Sequence, residues 1–338
     1  MAHKQHPLGS GFTPASTADE VLAGIDMSGK NIVVTGGHAG LGLEITRALS
    51  KAGASVTVAA RNPDRAAAAV RGIDRVSVGQ LDLLDPNSIN AFVAQWLDSG
   101  RPLNVLINNA GVAASARVVR DARGYEAQFA TNHLGHFQLT LGLHPALSQA
   151  ERARVVNVTS GAQRFARIRW DDPHFTTDYD PDVAYAQSKL ANVLFAIELD
   201  RRWSPEGIRA YAAHPGVIVG TALNSSGGQE QLRAMGLIDE SGQAIINPYT
   251  GRKTPQQGAA TIVFAASNDQ LADIGGVYLK DSDISPLVAE ELPMTNDPGV
   301  DIPAEAAPHS IDPQSARRLW ELSDKLLAEP LRSSSTQR

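Results

Sequence analysis

Short apolar segments alternate with segments of helical periodicity from residue 31 onward. The strand candidates are rich in β-branched residues and lie at 31–35, 55–60, 76–80, 105–108, 154–159, 209–214 and 275–279. The helical candidates that separate them lie at 41–51, 64–71, 86–98, 124–147, 182–203 and 255–267. Strands that alternate with helices in this way build βαβ units and therefore a parallel sheet.

The strand candidates are apolar along their whole length, which is typical of strands buried on both faces. The pattern therefore predicts an α/β fold, with a single doubly wound (Rossmann) parallel sheet and helices on both faces. We assign residues 29–285 to this domain.

The two ends of the chain do not continue the alternation. Residues 1–28 are predicted to form an N-terminal extension, flexible over 1–16, with a short helix that begins at a capping box over residues 17–20. Residues 286–338 are predicted to form a C-terminal extension that ends in a helix at 313–327, whose apolar side chains can pack on the domain.

The chain contains no cysteine and carries a formal net charge of −6 at pH 7. The lack of cysteine excludes disulfides, thiolate nucleophiles and cysteine-ligated zinc. An acidic chain lacks the basic surface that neutralises phosphates, so we expect no nucleic-acid partner. No apolar run reaches the roughly 18 residues of a membrane span, and the first residues lack a signal-peptide core. We therefore expect a cytoplasmic protein with no membrane span. Because His3 and His6 lie on a flexible terminus, we also expect no metal site.

A glycine-rich turn, TGGHAGLG at 35–42, joins the first predicted strand to the first predicted helix. Glycines at this place let the backbone approach a pyrophosphate, while the helix N-terminus supplies free N–H groups and a positive dipole. An ordinary tight turn can also contain glycines, but the strand before it and the helix after it favour a dinucleotide site. The predicted cofactor contacts in this turn are Gly36, His38, Gly40, Leu41 and Gly42.

The end of the second strand indicates which dinucleotide binds. NAD binders commonly have an acid there for the ribose 2′-hydroxyl, whereas this chain has Arg61 followed by Asn62. A guanidinium can pair with a 2′-phosphate, a contact worth about 1.5 to 3 kcal/mol, or about 10- to 150-fold in affinity. We therefore predict NADP(H), with contacts from both residues. The alternative is that Arg61 is a solvated surface residue.

Polar and small residues also follow the third and fourth strands. Asp82 and Leu83 follow one strand, and Asn109, Ala110 and Gly111 follow the other. Carboxyl ends of parallel strands line the binding crevice of such folds, so we predict that these residues contact the cofactor. Asp82 or the asparagines could instead cap the turns that follow.

Tyr185 and Lys189 have i to i+4 spacing in a strongly helical segment, YAQSKLANVLFAIEL. This spacing places both side chains on one helix face, one turn apart. A tyrosine is a poor base at pH 7, but a nearby ammonium and an oxidised nicotinamide both favour the phenolate and thereby lower its pKa. Without further motifs, such a pair is more often a packed ring beside a solvated ammonium.

The wider set of motifs carries a resemblance. The motifs are TGGHAGLG at 35–42, Asp82, NNAG at 108–111, Asn132 in TNHLGHF, Ser160 in VNVTS, YAQSK at 185–189 and HPG at 214–216. Over about residues 29–280 the chain resembles the short-chain dehydrogenase/reductase family. The sequence around Asn132 and Tyr185 is similar to the subgroup of retinol-dehydrogenase-like and protochlorophyllide-reductase-like enzymes, including bacterial relatives.

The resemblance implies a catalytic tetrad. Ser160 would hold the substrate oxygen and Tyr185 would exchange a proton with it. Lys189 would bind the nicotinamide ribose and lower the tyrosine pKa, and Asn132 would hold a water that links Lys189 to solvent. The chemistry agrees, because hydride transfer develops negative charge on the substrate oxygen, which a positioned acid and a second donor stabilise.

The resemblance also implies cofactor contacts after the HPG motif, from Pro215, Gly216, Val217 and Thr221. The hydroxyl residue is displaced by one position relative to the family, since Gly220 precedes Thr221, so its contact is less certain than the others. Residues 222–253 lie where the family has a substrate lid.

The segment between Ser160 and Tyr185 is long and aromatic, and it contains Phe165, Trp170, Phe175 and Tyr179. We expect this insert to wall the substrate site. It indicates a medium or bulky, mainly apolar substrate.

Together these features predict an enzyme, an NADP(H)-dependent oxidoreductase that acts on a small-molecule carbonyl or alcohol. One alternative is a protochlorophyllide-reductase-like photoenzyme, but those enzymes use a cysteine near the pigment. A second alternative is a non-catalytic NADP(H)-sensing binding protein on the same fold. The resemblance also suggests a homodimer or homotetramer through helices 124–147 and 182–203, which the long C-terminal extension could block.

Overall fold

A parallel β-sheet forms the centre of the protein in a computed structural model that describes residues 4–112, 117–218, 228–290 and 299–329. The strands are β1 (Asn31–Thr35), β2 (Ser55–Ala60), β3 (Val76–Gln80), β4 (Val105–Asn108), β5 (Arg154–Val158), β6 (Arg209–His214), β7 (Val217–Ile218), β8 (Arg252–Lys253), β9 (Val277–Lys280) and β10 (Asp283–Ile284). Eight of them form one sheet in the order β10-β9-β6-β5-β4-β1-β2-β3. Neighbouring strands of this sheet are parallel, except that β9 and β10 are antiparallel. The predicted doubly wound α/β fold is confirmed.

Helices connect the strands. They are α1 (Ala18–Val21), α2 (Gly40–Lys51), α3 (Pro63–Ala69), α4 (Pro86–Asp98), α5 (Ala127–Phe129), α6 (His136–Gly142), α7 (His144–Ser148), α8 (Pro181–Trp203), α9 (Gly228–Ala234), α10 (Pro255–Ser267) and α11 (Pro313–Ala328). None of the helices in the described ranges combines the length and the apolar character that crossing a membrane requires.

The sheet is buried on both faces because successive strand residues point in opposite directions. In β1, Val34 belongs to a core that includes side chains of α1, α2 and α10. The preceding residue, Val33, belongs to a second core that includes side chains of α4, α6 and α8. Apolar side chains on alternate faces therefore hold two layers of helices against one sheet.

The helix predicted over 124–147 is not continuous. The helical segment begins with α5, where the Glu126 carboxylate accepts the N–H groups of Gln128 and Phe129. A π-helical turn (Ala130–Gly135) leads into α6, and α6 ends before Pro145 at the start of α7. The prediction of a single helix was wrong because the Glu126 cap makes the helical segment begin at Ala127, and because α7, with Pro145 in its first turn, is a separate helix.

The prediction of flexibility over residues 1–16 is wrong for the residues that the structure describes. The Gln5 amide donates to two backbone carbonyls, those of Tyr278 (2.7 Å) and Ser285 (2.7 Å). The Asp283 carboxylate accepts the N–H groups of residues 8–10. Residues 17–20 form the predicted capping box at the start of α1. The N-terminal extension thus lies along the β9–β10 edge of the sheet.

The C-terminal extension packs on the domain at two places. At the first place, the Tyr278 hydroxyl donates to the Ala304 carbonyl (2.6 Å), and the Glu305 carboxylate forms an ion pair with Lys280 (2.7 Å). Further along, Trp320 of α11 lies with its ring centre 5.9 Å from that of Phe195 in α8. The extension is therefore an integral part of the packed structure.

Candidate active site

The predicted site residues lie on loops that follow neighbouring strands of the sheet. Gly36 follows β1, Asn109 follows β4, Ser160 lies just after β5, and Pro215 follows β6. These four strands are adjacent, so their loops converge at the carboxyl edge. Ligands of open parallel sheets bind in the crevice outside that edge. The structure thus brings the predicted residues together at the place where such folds bind ligands.

The turn between β1 and α2 depends on its glycines. Gly36 and Gly40 have φ angles of 65° and 50°, a region in which other residues are strained. A Cβ atom on Gly42 would collide with the Gly36 carbonyl oxygen and with the Asn109 side chain. Ala39 at the N-cap of α2 makes no side-chain cap hydrogen bond, which leaves N–H groups of the first turn for another acceptor. This geometry suits a phosphate group.

Thr35 joins the glycine-rich turn to the loop after β4. Its hydroxyl oxygen accepts the N–H groups of Asn109 and Ala110, each at 2.9 Å. The Asn109 side-chain amide in turn donates to the Thr35 carbonyl at 2.8 Å. Asn109 is therefore fixed by backbone contacts that hold the loop after β1 and the loop after β4 together. The sequence analysis missed Thr35, although it is the first residue of the glycine-rich motif.

His136 extends this connection to Asn132. Its Nδ1 lies 3.0 Å from the Asn132 carbonyl, and its Nε2 lies 2.8 Å from the Thr35 hydroxyl. Burial lowers the His136 pKa to about 4, so the ring is neutral and has one donor and one acceptor nitrogen. Donation from Nδ1 then lets Nε2 accept the Thr35 hydroxyl proton. The sequence analysis missed this histidine, which lies in the TNHLGHF segment.

Both side-chain atoms of Asn132 are engaged within the protein. Its Oδ1 accepts the N–H of Val112 (3.0 Å), and its Nδ2 donates to the Ser188 hydroxyl (3.0 Å). Ser188 donates in turn to the carbonyl of Tyr185 (2.8 Å). Asn132 thus connects the loop after β4 to the start of α8. Its predicted role in holding a water stays a prediction.

Tyr185, Ser160 and Lys189 meet beside the end of β5. Ser160 lies close enough to the Tyr185 phenol to act on its pKa. The Lys189 ammonium lies 5.6 Å from the centre of the Tyr185 ring and 3.4 Å from the Val158 carbonyl. A Cβ atom on Gly111 would lie 3.6 Å from that ammonium, so the loop after β4 passes directly beside it. The geometry brings the predicted tetrad into one cluster.

Burial shifts the pKa values of this cluster. It lowers the pKa of the Lys189 ammonium to about 8. It raises the pKa of the Tyr185 phenol, and the Ser160 side chain opposes that increase. The lowering of the tyrosine pKa that the sequence led us to expect does not arise from the protein groups alone, because desolvation dominates.

Basic groups cluster at the end of β2. Arg61 is exposed, and Asn62 caps α3 by accepting the N–H of Arg65 at 3.0 Å. The Arg65 charge adds to burial in lowering the pKa of His38. The Nδ1 of His38 is buried and has no hydrogen-bond partner among the described residues. The sequence analysis missed Arg65, although its spacing from Arg61 is one helical turn.

The loop after β3 is held mainly by contacts within the protein. Asp82 accepts the N–H of Leu84 at 3.0 Å, which is the turn-capping alternative considered for it. Leu83 is buried, and Gly135 of the π-helical turn packs against its carbonyl. Leu41, at the start of α2, is half-buried against the first core. Cofactor contacts of these residues stay predictions.

The loop after β6 turns sharply into β7. Gly216 has a φ of 83°, and Val217 donates its N–H to the Gly251 carbonyl at 2.8 Å. A Cβ atom on Gly216 would lie 2.9 Å from that same carbonyl oxygen, so only glycine fits. Pro215 is buried beside it. Thr221 lies outside the described residues.

The described part of the predicted lid is anchored by Arg252, which is fully buried. Its guanidinium donates to the carbonyls of Gly236 (2.9 Å) and Val300 (3.1 Å) and to the Thr250 hydroxyl (3.1 Å). The base of this segment is thereby joined to the C-terminal extension. The role of residues 222–253 as a lid stays a prediction.

The aromatic residues of the long insert differ in burial and make contacts within the protein. Trp170 packs toward α11, with the Arg318 guanidinium 4.3 Å from its ring centre. Phe175 is buried, and its ring makes an edge contact with Tyr179 at 5.8 Å. Phe165 is exposed. The role of the insert as a wall of the substrate site stays a prediction.

A small cavity lies between the insert and the loop after β4. Its volume is about 170 Å³. It is lined by Leu84, Val112, Val119, Glu126, Ala127, Gln128 and Tyr179. The lining of this cavity is mainly apolar, and one of its lining residues, Val112, donates its N–H to Asn132 at 3.0 Å.

The sequence of this chain is similar to the sequences of known proteins. A family profile described as short chain dehydrogenase matches residues 30–232. A "Probable oxidoreductase" of Streptomyces antibioticus is 43% identical over 304 residues, which cover 88% of this chain and 97% of that protein. Retinol dehydrogenase 12 of Mus musculus is 36% identical over 263 residues, which cover 76% of this chain and 79% of that protein.

Among solved structures, the Pseudomonas aeruginosa RhlG/NADP active-site complex aligns with a TM-score of 0.60 and 22% identity. The alignment covers 75% of this chain and 95% of that chain. At this level of identity the likeness concerns the fold.

Proposed function

Since the chain is an oxidoreductase of the short-chain dehydrogenase family, we propose that it transfers a hydride between NADP(H) and the carbonyl or alcohol carbon of a small-molecule substrate, with Tyr185 as the general acid/base. The observation that carries this proposal is the convergence of Tyr185, Ser160 and Lys189 beside the end of β5, with the Lys189 ammonium 5.6 Å from the centre of the tyrosine ring. A phenol and a neighbouring hydroxyl can together bind one substrate oxygen.

The protein residues handle the proton of this reaction. In the reductive direction, the substrate oxygen accepts hydrogen bonds from the Tyr185 and Ser160 hydroxyls. As negative charge develops on that oxygen, Tyr185 donates its proton to it, and the Ser160 hydroxyl stabilises the charge. The Lys189 ammonium stabilises the phenolate that remains. In the oxidative direction, the phenolate takes the alcohol proton.

The residues of the crevice fit a nicotinamide dinucleotide, which when bound supplies or accepts the hydride. The close approach at Gly42 and the uncapped first turn of α2 suit the pyrophosphate. Gly111 lies beside Lys189, so the loop after β4 borders the ammonium that would bind the ribose hydroxyls. The buried, unpartnered Nδ1 of His38 is a further polar atom for which a ligand could provide the partner.

The basic groups after β2 support NADP(H) over NAD(H). Arg61 is exposed at the strand end, and Arg65 lies close enough to His38 to lower its pKa. No acidic residue occupies the strand end, AARN at 59–62. Two guanidinium groups can neutralise a 2′-phosphate, whereas a bare ribose gains little from them.

The cavity beside Val112 supports a substrate with an apolar portion. Its mainly apolar lining favours burial of hydrocarbon over polar groups. The name of the related mouse retinol dehydrogenase points to an apolar alcohol for that protein. We therefore propose a medium or bulky, mainly apolar carbonyl or alcohol for this chain.

Turnover assays test the proposal. The purified protein is mixed with NADPH or NADH and with aldehydes and ketones of increasing apolar bulk, and consumption of the reduced nicotinamide is followed by absorbance. We expect turnover with NADPH and a bulky apolar carbonyl, and loss of turnover in Tyr185→Phe. The non-catalytic sensing protein would instead bind NADPH and NADP⁺ tightly. It would turn over no carbonyl with NADPH and no alcohol with NADP⁺.

A further inference from the structure

The turn that presents the Ser160 hydroxyl is held by a histidine from the neighbouring strand. Ser160 begins a 3₁₀ turn (Gly161–Phe165), and its hydroxyl oxygen accepts the N–H of Ala162 at 3.3 Å. The preceding N–H, that of Gly161, donates to Nδ1 of His214 at 3.1 Å. His214 is the last residue of β6, which pairs with β5 up to the contact of Val158 with Ala213.

This hydrogen bond acts on the position of Ser160 through the backbone. The N–H of Gly161 belongs to the peptide plane that joins it to Ser160. Fixing that N–H therefore fixes the ψ angle of Ser160, which is 156°, and with it the direction of the Cα–Cβ bond. A hydroxyl that must meet a substrate oxygen at hydrogen-bond distance tolerates little freedom in this angle.

Gly161 is enclosed on its other side by the C-terminal extension. A Cβ atom there would lie 2.9 Å from the Ala304 side chain and 3.0 Å from the Pro303 carbonyl oxygen. The Tyr278 hydroxyl holds the Ala304 carbonyl, and the Tyr278 ring stacks with His214 at an angle of 13°. The imidazole is therefore held in one orientation, with Nδ1 toward the Gly161 N–H.

The charges around His214 keep its ring neutral. Lys253 and Lys280 both face it, and together with burial they hold its pKa well below the usual value. These ammonium groups are paired with Asp281 (2.5 Å from Lys253) and with Glu305 (2.7 Å from Lys280). A neutral imidazole keeps one nitrogen free of a proton, and that nitrogen can accept the N–H of Gly161.

We propose that His214 is a positioning residue for the Ser160 hydroxyl, on which it acts through the backbone N–H of Gly161. This role rests on the proposed function, since it concerns the rate of the step in which Ser160 holds the substrate oxygen. It does not involve contact of His214 with the substrate.

Two substitutions of similar size separate this role from simple packing. In His214→Asn, the side-chain oxygen can occupy the place of Nδ1 and accept the same N–H. In His214→Gln, an extra methylene carries the amide past that place. We expect the Asn variant to keep kcat within about threefold of the parent. We expect the Gln variant to lose about tenfold or more in kcat, with KM and the NADPH Kd changed less than about twofold, because misplacement by an ångström costs up to about a hundredfold.

The control is Tyr211→Phe, on the same strand. Its hydroxyl makes a buried hydrogen bond to the Leu271 carbonyl (2.7 Å), away from Ser160. We expect this variant to lose stability while it keeps kcat. Equal kcat values in the Asn and Gln variants would overturn the proposal, and so would a Gln variant that keeps the parent kcat or loses cofactor affinity instead.

Hydrogen exchange of the peptide that contains Gly161 gives a readout without turnover. We expect its protection to fall in the Gln variant and to recover in the Asn variant. If the parent shows no turnover but the exchange pattern holds, the proposed function fails while the positioning contact stands. Equal protection in both variants would overturn the positioning role.

Discussion

The Lys189 ammonium lies 5.6 Å from the centre of the Tyr185 ring, one helical turn further along α8. It is buried, and the Val158 carbonyl at 3.4 Å holds it. An ammonium close to a phenol favours the phenolate electrostatically. In the proposed mechanism Tyr185 supplies a proton and Lys189 supplies a charge, so substitutions of the two residues should have different effects.

Tyr185→Phe is expected to abolish most turnover and to keep cofactor affinity. The substitution removes only the phenol oxygen, and general acid catalysis contributes about 10²- to 10⁴-fold. The measurements are kcat with the best substrate of the panel and the Kd for NADPH by fluorescence titration. Activity within about tenfold of the parent would contradict the assignment of the acid/base.

Lys189→Met is expected to affect both cofactor binding and the pH profile of alcohol oxidation. Without the ammonium the phenolate is less favoured, so the apparent pKa of the base should rise and oxidation should require a higher pH. The measurement is the rate of oxidation against pH in parent and variant. Identical profiles and identical NADP⁺ affinities would reduce Lys189 to a packed helix residue.

The depressed pKa of Lys189 gives a further prediction for the parent. Because its pKa is about 8, the ammonium is charged below that pH and loses its charge as the pH rises through it. Affinity for the anionic NADPH should therefore decrease as the pH is raised from 7 to 9. Calorimetric titration across this range checks the decrease, and Lys189→Met should lack it.

Arg61→Ala should weaken NADPH binding by about 10- to 150-fold and leave NADH binding nearly unchanged, because a guanidinium pairs with the 2′-phosphate that only NADPH carries. Arg65→Ala should act in the same direction with a smaller effect, since Arg65 lies further along α3. The Kd values for both cofactors check this. Equal affinity of the parent for NADPH and NADH would contradict it.

The protein is expected to be a monomer, because α8 has little free surface for a partner. Of its 23 residues, 16 are buried, and α11 covers part of it with Leu319 and Trp320. Sedimentation velocity measures the mass directly. A dimer in the parent would show that α11 does not block association.

Trp320→Ala should lower the free energy of unfolding by about 3 to 5 kcal/mol, since removal of a buried tryptophan side chain leaves a large cavity.

The sequence predicted the sheet well, and it placed Tyr185 and Lys189 on one helix, because both depend on local patterns. Apolar runs mark buried strands, and the spacing of Tyr185 and Lys189 fixes them on one helix face. Thr35, His136 and His214 were missed because their roles arise from contacts between strands and loops that are distant in sequence. Single polar residues inside apolar runs give no sign of which backbone group they will meet.

The aromatic insert shows a second limit. The sequence suggested that Trp170 and Phe175 line the substrate site, and the structure shows that both also make contacts within the protein. Hydrophobicity predicts burial but does not say whether the cover is a ligand or the protein's own C-terminal helix. The covering residue of Trp170, Arg318, belongs to a helix that could be placed only once the three-dimensional structure was known.

The enclosure of Gly161 by Pro303 and Ala304 has a consequence for synthesis of the protein. The neighbouring pair Gln163 and Glu305 is separated by 142 positions in sequence. At the pace of translation, the ribosome needs on the order of 10 s to make that intervening stretch. During this time the nascent chain can form its first strands, but it cannot complete the packing of the 3₁₀ turn that begins at Ser160. The turn at Ser160 is therefore completed only after Pro303 and Ala304 have been made, and apolar surface of the partly made chain stays exposed until then.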